Sequence, residues 1–125
     1  MNIKLRDEIL RPYISDGSTK SLIRFRGLPL DVLEKLVTHG FVALGKWNRC
    51  AGVTSLFLPF LRRHPDFTAH GYALPEDRPD CRITVEGVEC EKPVTDETAT
   101  DFTNTFSQYA DEVKVSTSRA YCWFD

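Results

Sequence analysis

CRITVEGVEC, residues 81–90, alternates apolar and polar side chains as a β-strand does, but the alternation changes phase partway along. Apolar residues occupy odd positions up to Val85 and even positions from Val88 onward, so in a regular strand they would lie on opposite faces. A β-bulge at Gly87 would add one residue and return the later apolar positions to the first face. The alternative is a strand that is covered on both faces. Both interpretations make this segment a strand that contributes to a core.

Four other segments also have the composition of strands. Phe67–Leu74 is joined to the quoted segment by the polar loop Pro75–Asp80, which predicts an antiparallel hairpin. Glu112–Ser116 and Arg119–Phe124 predict a second hairpin at the end of the chain. Ser21–Arg26 alternates apolar and polar residues and predicts a fifth strand.

Three segments have the apolar spacing of helices. The clearest is Gly27–Gly40, where leucines recur every three residues, Pro29 suits the first turn and the terminal glycine suits the stop. Ser55–His64 and Thr95–Ala110 also repeat apolar residues at helical spacing. Asn2–Ile14 has some helical spacing, but its type is left open.

Two hairpins accompanied by helices predict an α+β protein. We expect an antiparallel sheet of about five strands, with three or four helices packed mainly on one face. At 125 residues the chain has the size of a single domain, so residues 1–125 are assigned to one unit. A chain of this length can support its own core.

The charge balance and hydropathy exclude several classes of function. The net charge is −2 with both signs interspersed, whereas a dedicated nucleic-acid binder normally carries a basic stripe. The longest apolar run, Leu56–Leu61, is far too short to span a membrane. Charged residues interrupt the apolar positions of the first 20 residues, so we expect no signal peptide and a cytoplasmic protein. No nucleic-acid or membrane partner is therefore expected.

The four cysteines, Cys50, Cys81, Cys90 and Cys122, lack the close spacing that zinc sites use. In the cytoplasm they are expected to be reduced thiols, and no metal and no cofactor are predicted. No motif of a known enzyme class occurs, so no catalytic residue is assigned. A Cys81–His70 pair would lie on opposite faces. Glu86, Glu89 and Glu91 are interpreted as solvated charges on an exposed strand.

Strict alternation along the strands separates two sets of side chains. The apolar set faces the helices. The opposite face carries aromatic rings and arginines together, a combination typical of binding hot spots. In the terminal segment AYCWFD, for example, Cys122 and Phe124 belong to the core set, whereas Tyr121 and Trp123 belong to the other. The candidate binding residues on this second face are Arg24, His70, Tyr72, Arg82, Tyr121 and Trp123.

Residues 64–89, HPDFTAHGYALPEDRPDCRITVEGVE, and the ending YCWFD resemble short uncharacterised bacterial single-domain proteins, of the kind encoded as orphan genes on mobile integron gene cassettes. The resemblance extends from Leu30 to the end of the chain. It implies a single-domain bacterial protein and assigns no role to any residue.

Three occupants could cover the second face. The first is another segment of the chain, such as Asn2–Ile14 or Phe41–Gly52. The second is another protein, either a second copy in a homodimer or a different partner. The third is a small anionic or aromatic ligand. The first functional hypothesis is therefore a protein-interaction module, such as an adaptor or immunity-type protein. The alternative is a small-molecule-binding domain with a pocket on the same face, and an enzyme ranks third.

Overall fold

The computed structural model describes residues 2–19, 21–44, 52–75 and 82–124. Within these ranges, five strands form one antiparallel sheet in the order β1-β2-β3-β5-β4. The predicted α+β class is confirmed. The strands are β1 Ile23–Leu28, β2 Thr68–Ala73, β3 Ile83–Cys90, β4 Glu112–Val115 and β5 Ala120–Trp123.

Four α-helices occur in the described ranges, which agrees with the predicted number. They are α1 Ile3–Leu10, α2 Leu30–Thr38, α3 Leu58–Arg63 and α4 Asp96–Phe106. A short 3₁₀ turn, Arg11–Tyr13, extends α1, and a π-helical turn, Val53–Phe57, leads directly into α3. The segment Asn2–Ile14, whose type the sequence leaves open, is helical from Ile3 to Tyr13. No helix in the described ranges is long and apolar enough to cross a bilayer.

The bulge expected in β3 is present. His70 of β2 pairs with Gly87, but the next residue, Gly71, pairs with Val85, so Glu86 has no counterpart in β2. The extra residue reverses the phase of the alternation, as an inserted residue must. Val88 is consequently fully buried on the same face as Val85.

Aromatic packing joins the sheet to the helices. Phe124, which follows β5, makes an edge contact with Phe57 at a centroid separation of 5.2 Å and another with Phe106 of α4 at 6.2 Å. Phe60 of α3 packs against Phe106 at 4.9 Å. All four rings have no exposed surface. One hydrophobic cluster therefore contains the inner face of the sheet and the buried sides of the helices.

Helix ends follow the sequence signals. The Thr95 side chain accepts a hydrogen bond from the Thr98 amide, as an N-cap does. Gly40 adopts a positive φ of 76° and ends α2. At the end of α3, Arg63 donates to Asp101 of α4 at 3.0 Å, so this basic end is paired with the neighbouring helix.

The N-terminal helix packs on the helical side of the sheet. Leu10 is fully buried in the common core, and the buried Arg6 donates from Nη1 to the Leu74 carbonyl at 2.8 Å. On the opposite face, the loop after α1 lies beside β1, where Ser15 lines a groove together with Arg24 and Gly17 lies against the stem of Arg24. Phe41 and Val42 are also core residues. In their described parts, neither of the two chain segments proposed as covers lines the groove on that face, although Pro12, Tyr13 and Ile14 lie beside Arg26 of the edge strand β1.

Two of the four cysteines lie in the described ranges. Cys90 and Cys122 are buried free thiols, as predicted. Cys50 and Cys81 lie outside the described residues, and so does the proposed relation between Cys81 and His70. Burial raises the pKa of Cys122 to about 12, so this thiol is a core side chain and not a nucleophile.

Replacing Phe124 tests whether the last residues hold the sheet to the helices. We expect Phe124→Ala to lower the free energy of unfolding by about 3–5 kcal/mol, because the buried ring leaves a cavity between α4 and β5. Phe124→Leu keeps most of the apolar volume and should cost less. The measurement is urea denaturation monitored by circular dichroism. Equal midpoints for Phe124→Ala and the unmodified protein would show that this ring is not part of the core.

Candidate functional site

The face of the sheet opposite the helices contains a groove of about 420 Å³. Side chains from all five strands line it, and Ser15 lies at its margin, where its amide donates to the Arg24 carbonyl at 2.8 Å. The lining is polar and charged. The groove lies on the face that strand alternation separates from the core set.

Four of the six predicted binding residues line the groove: Arg24, His70, Tyr121 and Trp123. Tyr72 and Arg82 do not belong to its lining. Tyr72 pairs with Arg24 across β1 and β2, which places it beside the groove on the same face. Arg82 precedes β3 and is exposed.

Two glutamates lie at the floor of the groove, and the prediction that they are solvated is wrong. Glu86 is 8% exposed and Glu89 is 4% exposed. With the bulge, both residues lie on the groove face, where Arg24 and Arg26 of β1 and Arg119, which precedes β5, pair with them. The third glutamate, Glu91, is exposed as expected, with 65% of its side chain accessible.

Glu89 is held by two arginines. Arg26 of β1 donates from Nε to Oε1 at 3.3 Å and from Nη2 to Oε2 at 3.1 Å. Arg119, which precedes β5, donates from Nη2 to Oε2 at 3.1 Å. Both carboxylate oxygens therefore accept charge-assisted hydrogen bonds, which offsets the cost of burying the charge.

Glu86 lies at the bulge and is approached from both sides. The indole Nε1 of Trp123 donates to its Oε2 at 3.2 Å. The guanidinium of Arg24 faces its Oε1 at 3.5 Å. Trp123 is thus oriented by a buried carboxylate, which accounts for a polar partner at its indole nitrogen.

His70 extends across β3 toward β5. Its Nε2 lies 2.9 Å from the carbonyl oxygen of Cys122, and because a carbonyl only accepts, Nε2 carries the proton. Its ring stacks on Tyr121 with centroids 5.1 Å apart and planes 7° apart. Burial lowers the pKa of His70 below 6.5, and the hydrogen bond to Cys122 and the charge of Glu89 offset that effect only in part. The ring is therefore neutral at pH 7.

Tyr121 connects His70 with the cationic part of the site. The guanidinium carbon of Arg119 lies 5.0 Å from the centroid of the tyrosine ring, within the range of a cation–π contact. Burial raises the pKa of Tyr121, and the nearby carboxylates Glu112 and Glu89 add to the rise. The phenol stays protonated at neutral pH and can both donate and accept.

Two glycines leave room for groove side chains. A Cβ on Gly87 would lie 2.7 Å from Nε2 of His70, so the missing side chain lets the imidazole pass over β3 to Cys122. A Cβ on Gly17 would lie 2.9 Å from Cδ of Arg24, so the loop before β1 makes space for the stem of that arginine.

The candidate set from the sequence omitted Arg26, Glu86, Glu89 and Arg119, although strand alternation assigns Arg26 and Glu86 to the same face as Arg24 and His70. The signal that could have found Glu89 is the phase change at Gly87. Once a bulge is accepted there, Glu89 joins Glu86 on that face. No local pattern shows that Arg26 of β1 and Arg119, which precedes β5, meet at Glu89 of β3, because that meeting depends on the strand order.

The chemistry available in the groove is hydrogen bonding, charge pairing and stacking. Across the described ranges, no group of three or more His, Cys, Asp or Glu side chains is arranged to hold a metal ion. Comparison with known proteins gave no match to any family model, curated protein or solved structure. The resemblance to short bacterial proteins therefore stays a prediction.

The burial of His70 predicts a pH-dependent stability. Because its pKa in the folded state is lowered, the unfolded state takes up the proton first as the pH falls below about 6.5. The contribution of neutral His70 to the stability of the fold is therefore fully present above that pH. It decreases as the pH falls from there to the lowered pKa. We expect the urea midpoint to fall more steeply over this range for the unmodified protein than for His70→Gln. An NMR titration that placed the pKa of His70 at or above 6.5 would contradict this.

Gly87 should tolerate no side chain. The Cβ of Gly87→Ala would lie 2.0 Å from the Cys122 carbonyl oxygen, and backbone cannot yield as a flexible side chain does. We expect a loss of about 3 kcal/mol in the free energy of unfolding, the upper end of the usual cost of overpacking. The control is Gly17→Ala, which meets only the flexible stem of Arg24 and should cost within about 0.5 kcal/mol. Similar denaturation midpoints for the two variants would rule out the close approach at Gly87.

Proposed function

We propose that this protein is a small-molecule-binding domain that takes its ligand in the groove on the open face of the sheet. The observation that supports this most is the set of buried polar side chains, His70, Glu86 and Glu89, which converge on one concave surface. Ligand sites combine a concave shape with a few fixed polar groups in this way.

The size of the groove suits a small ligand. Its volume of about 420 Å³ falls within the roughly 300–1,000 Å³ that small-molecule sites occupy. The aromatic rings in it are only partly exposed and are already oriented, Tyr121 by His70 and Trp123 by Glu86. Such groups lose little conformational freedom when a ligand arrives, which favours binding.

The energetics of the groove also favour a binding role over a structural one. Burying a carboxylate requires compensation, and ion pairs that supply it are often no better for stability than apolar side chains of the same size. A sheet face that served only stability could be covered more simply. The pairing of Glu89 with Arg26 and Arg119 is therefore interpreted as preorganisation of polar groups around a site.

A protein-interaction module is the second candidate function. The observation in its favour is that Arg24, Arg26 and Arg119 keep about half of their side-chain surface exposed beside two partly exposed aromatic residues. Arginine, tyrosine and tryptophan are the residues that dominate protein interfaces. Against it, the large apolar side chains exposed in the described ranges are the separate residues Ile14, Leu44 and Val115, which do not form a patch.

The test is a thermal-shift screen of small polar metabolites, followed by calorimetric titration of each compound that stabilises the protein. We expect one-to-one binding that Arg24→Gln weakens by about tenfold or more, because a hydrogen bond to a charged group contributes about 1.5–3 kcal/mol. Arg62→Gln is the matched control, since Arg62 is similarly exposed and is paired with Glu34 on the helical side. Binding that both substitutions affect equally would contradict the groove as the site.

Light scattering over a concentration series separates the two candidates. A ligand-binding domain needs no self-association, so we expect Arg24→Gln to leave the mass unchanged. If the protein forms a dimer that Arg24→Gln dissociates and Arg62→Gln does not, the interaction module is the better assignment and a homodimer is its partner.

A further inference from the structure

Each oxygen of the two buried carboxylates of the groove already has a hydrogen-bonding or cationic partner. Both oxygens of Glu89 accept hydrogen bonds from Arg26 and Arg119. Oε2 of Glu86 accepts from Trp123, and its Oε1 faces Arg24. A cationic ligand would have to displace an arginine from a buried carboxylate, which would leave that arginine without its partner.

Arg24 and Arg119, by contrast, have N–H donors that no side chain of the described residues uses. A guanidinium carries five N–H groups. Arg119 uses Nη2 for Glu89, and Arg24 directs Nη1 toward Glu86 at 3.5 Å. Within the described chain, their guanidinium groups make no other hydrogen bond or ion pair. Both side chains remain nearly half exposed, at 47% and 46%. The groove can therefore offer N–H donors to an acceptor, and an anion is the strongest acceptor.

His70 offers the groove a hydrogen-bond acceptor. Because Nε2 donates to the Cys122 carbonyl, Nδ1 carries the lone pair and can only accept. Nδ1 has no hydrogen-bond partner among the described residues, although the ring lines the groove and is only 9% exposed. An acceptor held in one tautomer selects a ligand that brings an O–H or N–H group.

From these three observations we propose that the ligand is a small organic anion that also carries a hydrogen-bond donor. Arg24 and Arg119 hold the anionic group, and Nδ1 of His70 receives the donor. Carboxylate and phosphate groups share this chemistry, and the volume of the groove limits the ligand to a small molecule. The inference rests on the proposed function and adds the chemical class of the ligand.

Matched pairs of anions test both requirements at once. The probes are lactate and propionate, malate and succinate, and glycerol 3-phosphate and propyl phosphate, with glycerol as the uncharged control. In each pair the first anion carries a hydroxyl group and the second carries none on carbon. Binding is measured by calorimetry and by the ¹⁵N chemical shifts of the imidazole of His70 in the unmodified protein, so that no variant has to fold.

We expect the hydroxylated member of at least one pair to bind about tenfold more tightly than its partner, because a site built to bond a hydroxyl rejects the analogue without it. Its binding should move the Nδ1 resonance of His70, while glycerol should not bind. Arg119→Gln should weaken the binding of that anion by about tenfold or more. Arg62→Gln should leave the affinity unchanged.

Other outcomes overturn the inference in distinguishable ways. Equal affinities within every pair, with an unmoved Nδ1 resonance, would show that His70 selects no donor. A third outcome is that only neutral or cationic metabolites bind and that Arg24→Gln weakens their binding. This result would contradict the anionic character of the ligand but would still support the proposed function. If neither these probes nor the metabolite screen yields a ligand that depends on Arg24, both the inference and the proposed function fail.

Discussion

Strand β3 has one residue more than its neighbour β2 can pair, and this extra residue, Glu86, determines what each face of the sheet carries. On the inner face, the bulge returns Val88 to the core, where it is fully buried. On the outer face, it places Glu86 at the groove and keeps Glu89 on the same side. In a regular strand with Val85 facing the core, Val88 would face outward and Glu89 would face the core. The core and the groove therefore depend on the same local irregularity.

In the groove, charged side chains from different parts of the sheet compensate one another. Both buried carboxylates lie on β3, and their cationic partners are Arg24 at Glu86 and Arg26 and Arg119 at Glu89. The glycine that accompanies the bulge, Gly87, leaves the space through which His70 reaches Cys122. Charge, hydrogen bonding and the absence of one side chain thus act together. The result is a set of polar groups oriented before any ligand is present, which is the condition for low-cost recognition.

Much of the fold could be predicted from local patterns. The two hairpins, the helix after Pro29 and the cap at Thr95 all follow from turn chemistry and apolar spacing, which act over a few residues. The bulge was also visible as a phase change around Gly87. Four of the six proposed binding residues lie in the groove because strand alternation alone assigns a side chain to a face. Tyr72 and Arg82 share that alternation but lie outside the lining, because a face says nothing about position along the strand.

By itself, the sequence determined the five strands, three of the helices, the class of the fold and the face of most strand residues, because these depend on local periodicity. Only the tertiary structure decided that Glu86 and Glu89 are buried instead of solvated, because their burial needs partners from segments far away in the chain. Glu89 needs Arg26 and Arg119, and Glu86 needs Arg24 and Trp123. It likewise decided the tautomer of His70, which depends on a carbonyl 52 residues away. Interactions of this kind arise from strand order, and strand order is set by the packing of the whole chain around its core.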